Sequence, residues 1–152
     1  MDSVSSKPSM PLTLKHVDTN YVQQVWPTVE PFIRSAMERG GDFPEWAHSY
    51  TVEHIQVFLT TGQWLLIVMV DEENKIHGCC TVSFINYPLH RVAFVTTIGG
   101  KLIFSKDTVE QFKIMMKQRG ATKVQCYGRP SVVRLWQRYN FEPRNALVEL
   151  LL

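Results

Sequence analysis

Cysteine is scarce in this chain, with Cys79, Cys80 and Cys126 making up the whole complement. The count is odd, the spacing suits no metal, and adjacent cysteines on a strand point to opposite faces, so neither a disulfide framework nor a zinc site is expected. A reducing compartment fits, and Cys126 reads as a small buried hydrophobe rather than a reactive thiol. Long apolar runs are missing as well. The longest, WLLIVMV, has seven residues, against the roughly 20 that a membrane helix needs. The opening MDSVSSKPSMP lacks the basic-then-apolar order of a secretion signal. The expectation is a protein that is neither exported nor membrane-spanning.

What is present is enough for one core. In 152 residues, 45% are hydrophobic and 20% charged, which suits a single domain over residues 12–152 and is too little for two. Residues 1–11, rich in Ser and Pro, read as a flexible N-terminal arm. The net charge of +2 hides an asymmetry: residues 1–75 carry five Lys and Arg against ten acids, and residues 76–152 carry eleven against four. The halves stand at −5 and +7. A basic second half could meet nucleotide phosphates, nucleic acid, an acidic protein surface or the acidic first half itself. Without an aromatic-and-basic repeat, nucleic acid is not the expected partner.

Residues 12–17 alternate as a short strand, followed by Asp18 as a cap. Val22, Val25, Val29, Phe32 and Ile33 mark a helical stripe that Pro27 and Pro31 are expected to break in two, with Gly40 and Gly41 at its end. After the loop DFPEWAHSY, Val52, Ile55, Phe58 and Leu59 place a helix over residues 51–60, with Gly62 as its stop. Residues 64–70 and 76–84 form β-rich runs joined by the polar turn DEENK, a hairpin pattern. A third strand over residues 91–97 follows NYPLH. Gly99 and Gly100 then punctuate the chain. Asp107 and Glu110 suggest a capping box for a helix bearing Val109, Phe112, Met115 and Met116, ended by Gly120. Residues 146–152 read as a final strand.

Residues 123–143, KVQCYGRPSVVRLWQRYNFEP, read as strand, turn, helix and closing aromatic. Val132, Leu135, Trp136 and Tyr139 fall at i, i+3, i+4 and i+7, and Pro130 suits a first helical position. This stretch resembles the signature N-x-x-A-x-x-L-Y-x-x-x-G-F of the GNAT superfamily, the GCN5-related N-acetyltransferases. Leu135 and Phe141 then fall on the Leu and Phe, Arg129 on the Asn, Val132 on the Ala, Trp136 on the Tyr and Asn140 on the Gly. The resemblance implies an α/β (α+β) fold, a GNAT-like mixed central sheet flanked by helices, and the order β-α-α-β-β-β-α-β-α-β fits it. In that family the Tyr is the usual proton donor to the departing coenzyme A thiolate. An indole N–H does not titrate in the useful range and cannot do this.

The same resemblance directs attention to TTIGGKLIFSKD, where the family carries the pyrophosphate cradle Q/R-x-x-G-x-G/A ahead of a helix N-terminus. Centring it on Gly99 puts Thr96 at the Arg or Gln position and Lys101 where a small residue is needed. Centring it on Gly100 gives Thr97 and Leu102. Leu102, Ile103 and Phe104 read as an apolar plug. The candidates left for holding coenzyme A phosphates are Gly99, Gly100, Lys101, Ser105, Lys106 and Arg129, with the Asp107 carboxylate competing for the same amides. RVAFVTT holds no acid or His to serve as a base. His90, just before it, is the candidate base acting through water, and Tyr127, at the end of the next strand, is the candidate acid. Tyr139 is expected in the core.

The FVTT strand, apolar loop and basic helix–strand–helix further resemble the phage-encoded GNAT-like virion proteins. That resemblance implies a structural or interaction protein with little or no transferase activity and no cofactor. Its partners would be other protein subunits, in a virion assembly or a homo-oligomer, and its location the host cytoplasm or the virion. The alternative is an active acetyl-coenzyme A-dependent N-acetyltransferase acting on a protein or small-molecule amine, with Lys101, Lys106 and Arg129 gripping phosphates.

Overall fold

In the computed structural model, residues 11–38, 49–100, 105–128 and 130–152 are described, residues 130–132 by their backbone alone. Residues 1–10, Gly40, Gly41, most of the DFPEWAHSY loop, Lys101, the 102–104 plug and Arg129 lie outside the described residues. The run Trp64–Val70 (β2) is buried at every position, as a strand covered on both faces must be. Trp64, Leu66, Val68 and Val70 join one core cluster, while Leu65 and Ile67 join the other.

The first cluster is closed by α1 (Val22–Glu38) and α2 (Val52–Thr60), through Val22, Val29, Ile33, Ile55 and Leu59. The second is closed by α3 (Lys106–Gln118), through Met116 and the half-buried Phe112 and Met115. Between them lies one five-stranded sheet in sequence order: β1 (Thr13–Val17), β2, β3 (Ile76–Asn86), β4 (Arg91–Gly100) and β5 (Lys123–Gln125). The first four strands are antiparallel neighbours, and β5 returns parallel to β4 after α3. Gln111 of α3 ties the first strand down, since its side chain accepts from Leu14 N at 2.8 Å and donates to Leu12 O at 2.9 Å. The chain then forms α4 (Pro130–Gln137). The mixed sheet flanked by helices is the expected architecture.

Several local readings change. Pro27 and Pro31 do not split α1, which is one helix over 17 residues. They sit one turn apart on its exposed side, so the carbonyls that lose an N–H partner, those of Gln23 and Pro27, can be met by water. Helix α3 begins not at an Asp107–Glu110 box but two residues earlier, where Ser105 caps and Thr108 reciprocates. A hydroxyl at the cap reaches the third amide without the reach of a Glu. Gly99 and Gly100 do not break the strand; they end β4, paired with Cys79 and Gly78. Leu135 is 38% exposed, whereas Trp136 beside it is 6% exposed. Finally, residues 146–152 form no strand and are exposed throughout. Their composition favours extension, but a strand also requires a partner edge, and no strand of the described residues pairs with them.

The hairpin turn is as expected, with a specific cause. The Asp71 carboxylate accepts from Glu73 N at 2.8 Å, Lys75 N at 3.0 Å and His77 Nε2 at 2.8 Å. Asn74 takes the left-handed conformation at φ 63° that Asn tolerates.

Candidate functional site

Strand β4 is irregular in its middle. Thr81 pairs with Thr97 but Val82 pairs with Val95, which leaves Thr96 as the extra residue of a β-bulge. Three hydroxyls gather there: Thr81 Oγ1 lies 2.6 Å from both Thr96 Oγ1 and Thr97 Oγ1, and Thr96 Oγ1 donates to Thr81 O at 3.0 Å. Each hydroxyl has one proton. The order in which every proton is used once runs from Thr97 to Thr81, from Thr81 to Thr96, and from Thr96 to the Thr81 carbonyl. Thr81 is fully buried, so this chain of donations satisfies a hydroxyl that water does not reach.

Beyond the bulge the sheet opens. Pairing between β4 and β5 ends at Phe94 and Gln125. β4 continues to Gly100, whereas the other chain turns away through Cys126, Tyr127 and Gly128 towards α4. A cavity of about 60 Å³ lies at this parting on the α3 side, walled by Val95, Ile98, Val124, Cys126, Trp136 and Phe141. Trp136 is 6% exposed and its ring meets Phe141 at a centroid distance of 5.4 Å. The wall is apolar, apart from Thr108 and Lys113 of α3.

Tyr127 stands at the same parting, 51% exposed, with its ring edge-on to Phe94 at 5.1 Å. Ala93 and Val95 belong to the α3-side core, so Phe94 between them points to the other face. Tyr127 and Trp136 are thus divided by the plane of the sheet. His90 is elsewhere. It precedes β4 and its Nδ1 meets Thr122 Oγ1 at 2.9 Å, at the start of β5. At about 3.3 Å per residue, Phe94, on which Tyr127 packs, lies roughly 13 Å further along the strand, so His90 and Tyr127 are not brought together.

The phosphate-loop candidates divide similarly. A Cβ on Gly99 would collide with the carbonyl oxygen of Phe32 in α1, and Gly100 has φ +110°. Close helix packing and backbone conformation therefore account for both glycines. Ser105 Oγ accepts from Thr108 N at 3.1 Å, and Ser105 N donates to Thr108 Oγ1 at 2.9 Å. These bonds occupy amides at the α3 N-terminus that an anion would use, and Asp107 adds negative charge there while its Oδ2 accepts from Gln111. Lys106 is exposed in the first turn.

Burial pushes the Cys126 thiol up to about 12, which disfavours the thiolate at neutral pH. Cys79 is pushed up to about 12 and Cys80 further still, again by burial. Among the described residues no cluster of His, Cys, Asp and Glu could hold a metal ion, and no helix is long and apolar enough to cross a membrane. The threonine trio was missed in sequence. Its signal was the TT doublet in β4, but only the β3–β4 register places Thr81 opposite it.

No protein-family model matches the sequence, and no curated protein does. Solved structures do match. A predicted acetyltransferase from Clostridium acetobutylicum, solved with acetyl-CoA, superposes with a TM-score of 0.64 over 93% of this chain and 96% of that one, at 12% identity. Glucosamine-6-phosphate N-acetyltransferase from Arabidopsis thaliana gives 0.57 over 93% and 98%, at 12% identity. A putative acetyl transferase from Pyrococcus furiosus gives 0.59 over 93% and 100%, at 14% identity. The fold is that of the GNAT acetyltransferases. Within this GNAT fold, the bulged β4, the strand parting and Trp136 occupy one region, and the α3 cap stands after the segment that follows β4.

Proposed function

We propose that this chain is a GNAT-fold structural or interaction protein, phage-encoded and virion-associated, with a degenerate donor site and little or no transferase activity. One observation carries the reading. Trp136, which resembles the family's proton donor in position, is buried against Phe141 and walls the space at the strand parting. What remains there is a cavity of about 60 Å³, against the roughly 300–1,000 Å³ typical of ligand pockets. Replacing a general acid by an indole costs about 10²- to 10⁴-fold in rate by itself. The α3 terminus adds to this, since Ser105 and Thr108 bond each other's amides and Asp107 disfavours an anion. These features of the described residues support a degenerate donor site. The phage and virion assignment rests on the sequence resemblance, and predicts that the chain is found by mass spectrometry in purified virus particles. Isothermal titration with acetyl-coenzyme A tests the donor site directly: no measurable heat is expected, and micromolar binding overturns the reading.

A second reading has its own observation. Strands β4 and β5 do part, and Tyr127 stands exposed beside the opening. An active N-acetyltransferase on a protein or small-molecule amine would use that opening. In that case Tyr127→Phe would reduce acetyl transfer by about 10²- to 10⁴-fold.

A further inference from the structure

Strand β3 outruns β2. The pairing of these two strands starts at Trp64 and Ser83, whereas Phe84, Ile85 and Asn86 continue the ladder with β4 alone. Tyr87 N donates to His90 O at 2.7 Å and closes the turn. The hairpin therefore projects past its neighbour and ends in Tyr87, Pro88 and Leu89, all exposed. Leu89 is 87% exposed and Tyr87 55%. Three consecutive apolar residues facing water at a turn need a functional reason, since folding gains nothing from them.

Beside this tip stands a cation already fixed in place. The Arg91 guanidinium lies 4.2 Å from the centroid of the Phe84 ring, and it donates from Nε to Arg119 O at 3.0 Å and from Nη1 to Asn86 Oδ1 at 2.8 Å. The first bond caps the end of α3. Both acceptors are neutral oxygens, however, so the charge is not compensated, and a guanidinium has five N–H donors to give. Arg119 and Lys123 stand exposed next to it, the latter paired with Val92. Among the described residues no carboxylate forms an ion pair with any of the three. Because Arg91 is held before a partner arrives, little side-chain freedom remains to be lost on binding, and its planar fork suits a carboxylate. An apolar centre with a charged rim is the anatomy of a protein interface, where Tyr and Arg often dominate the energy. Nucleic acid fits less well, since bases need flat faces to stack on and Leu89, the most exposed residue of the tip, offers none.

We propose that the hairpin over residues 84–91, with Arg119 and Lys123, is a docking surface for an acidic protein partner, one that presents apolar side chains rimmed by Asp and Glu carboxylates. Tyr87 and Leu89 meet the apolar centre, and the three cations meet the rim. The proposal rests on the reading of this chain as an interaction protein. It uses no residue of the strand parting or the α3 N-terminus, so it and the degenerate donor site can fail separately.

The probe is a short Glu-rich peptide with a central Leu-Leu pair, titrated to about 1 mM into the ¹⁵N-labelled full chain. The amides of Tyr87, Leu89, Arg91 and Lys123 are expected to shift and saturate. The same peptide with Gln for every Glu is expected to leave them in place. Leu89→Ser and Arg119→Glu should each weaken binding by about fivefold or more, with circular dichroism unchanged because both side chains are exposed. The Arg119 carbonyl that Arg91 uses is backbone and survives the substitution. Absence of shifts at these amides, equal binding of the Gln peptide, or variants that bind like the parent overturns the proposal. Oligothymidylate moving the same amides at lower concentration than the peptide would assign the surface to nucleic acid and overturn it as well.

Discussion

Substituting Gly99 by Ala separates two meanings of a glycine at the end of β4. If Gly99 belongs to a phosphate cradle, an added methyl affects ligand binding and leaves the apo fold alone. The structure gives the opposite expectation. The new Cβ would overlap the Phe32 carbonyl oxygen and lie 3.0 Å from the Phe32 carbonyl carbon. These are backbone atoms, so no side chain can swing away and α1 itself must shift. That helix carries Val29 and Ile33, at 0% and 1% exposure, and a shift loosens their packing against β2 and β3. Overpacking of this kind costs about 1–3 kcal/mol. In a chain of this size each kcal/mol moves the midpoint by about 2–4 °C, so Tm is expected to fall by roughly 2–12 °C. Gly120→Ala is the reference, because space is available there, with the nearest atom, Arg91 Cδ, at 3.7 Å, and only φ +83° is unfavourable. Its cost is expected at about 1–2 kcal/mol. Thermal unfolding followed by circular dichroism reads both. A Gly99→Ala protein within about 0.5 kcal/mol of the parent would refute the packing account.

The threonine trio predicts that Thr81→Val destabilises by about 1–2 kcal/mol in urea unfolding, because Thr97 loses its acceptor and Thr96 its incoming donor. Thr97→Val in the same background should cost much less than it does alone, since the cycle removes both partners; additive losses would mean the hydroxyls act separately. Asp71 is held below the ordinary carboxylate range, first by its hydrogen bond from His77 and then by Lys75 N. Its contribution is therefore present above about pH 4 and lost as pH falls through the folded-state value. The stability difference between parent and Asp71→Asn should be constant at neutral pH and shrink below about pH 4, and a difference that grows on acidification would reverse the sign. With its thiol near 12, Cys126 should react with a disulfide reagent at pH 8 only as the protein unfolds; rapid modification of the native chain would show that it is not held as a neutral thiol.

Much of the fold was legible because it depends on local chemistry. Strands β2 and β3 follow from β-rich runs around a turn whose Asp71 binds its own backbone, and Gly62 and Gly120, both with positive φ, stop helices α2 and α3 as expected. The errors have a common cause. Pro27 and Pro31 looked like breaks because spacing alone does not say which side of a helix meets water. Residues 146–152 looked like a strand because propensity says nothing of a free edge. The Asp107–Glu110 pattern was a plausible cap, but Ser105 and Thr108 made a shorter one.

For the site the division is sharper. Sequence by itself determined which residue types stand near β4 and α4: Trp136 where the resembling family has an acid, no acid or His in RVAFVTT, and thiols with no metal spacing. Those are properties of identity and order, and folding does not alter them. Only the tertiary structure decided that His90 meets Thr122 while Tyr127 packs on Phe94, that Phe32 of α1 lies over Gly99, and that Thr81, Thr96 and Thr97 share protons. Each depends on register or on the approach of a distant element, such as Phe32 over Gly99. Such contacts join residues far apart in sequence, so no local pattern records them.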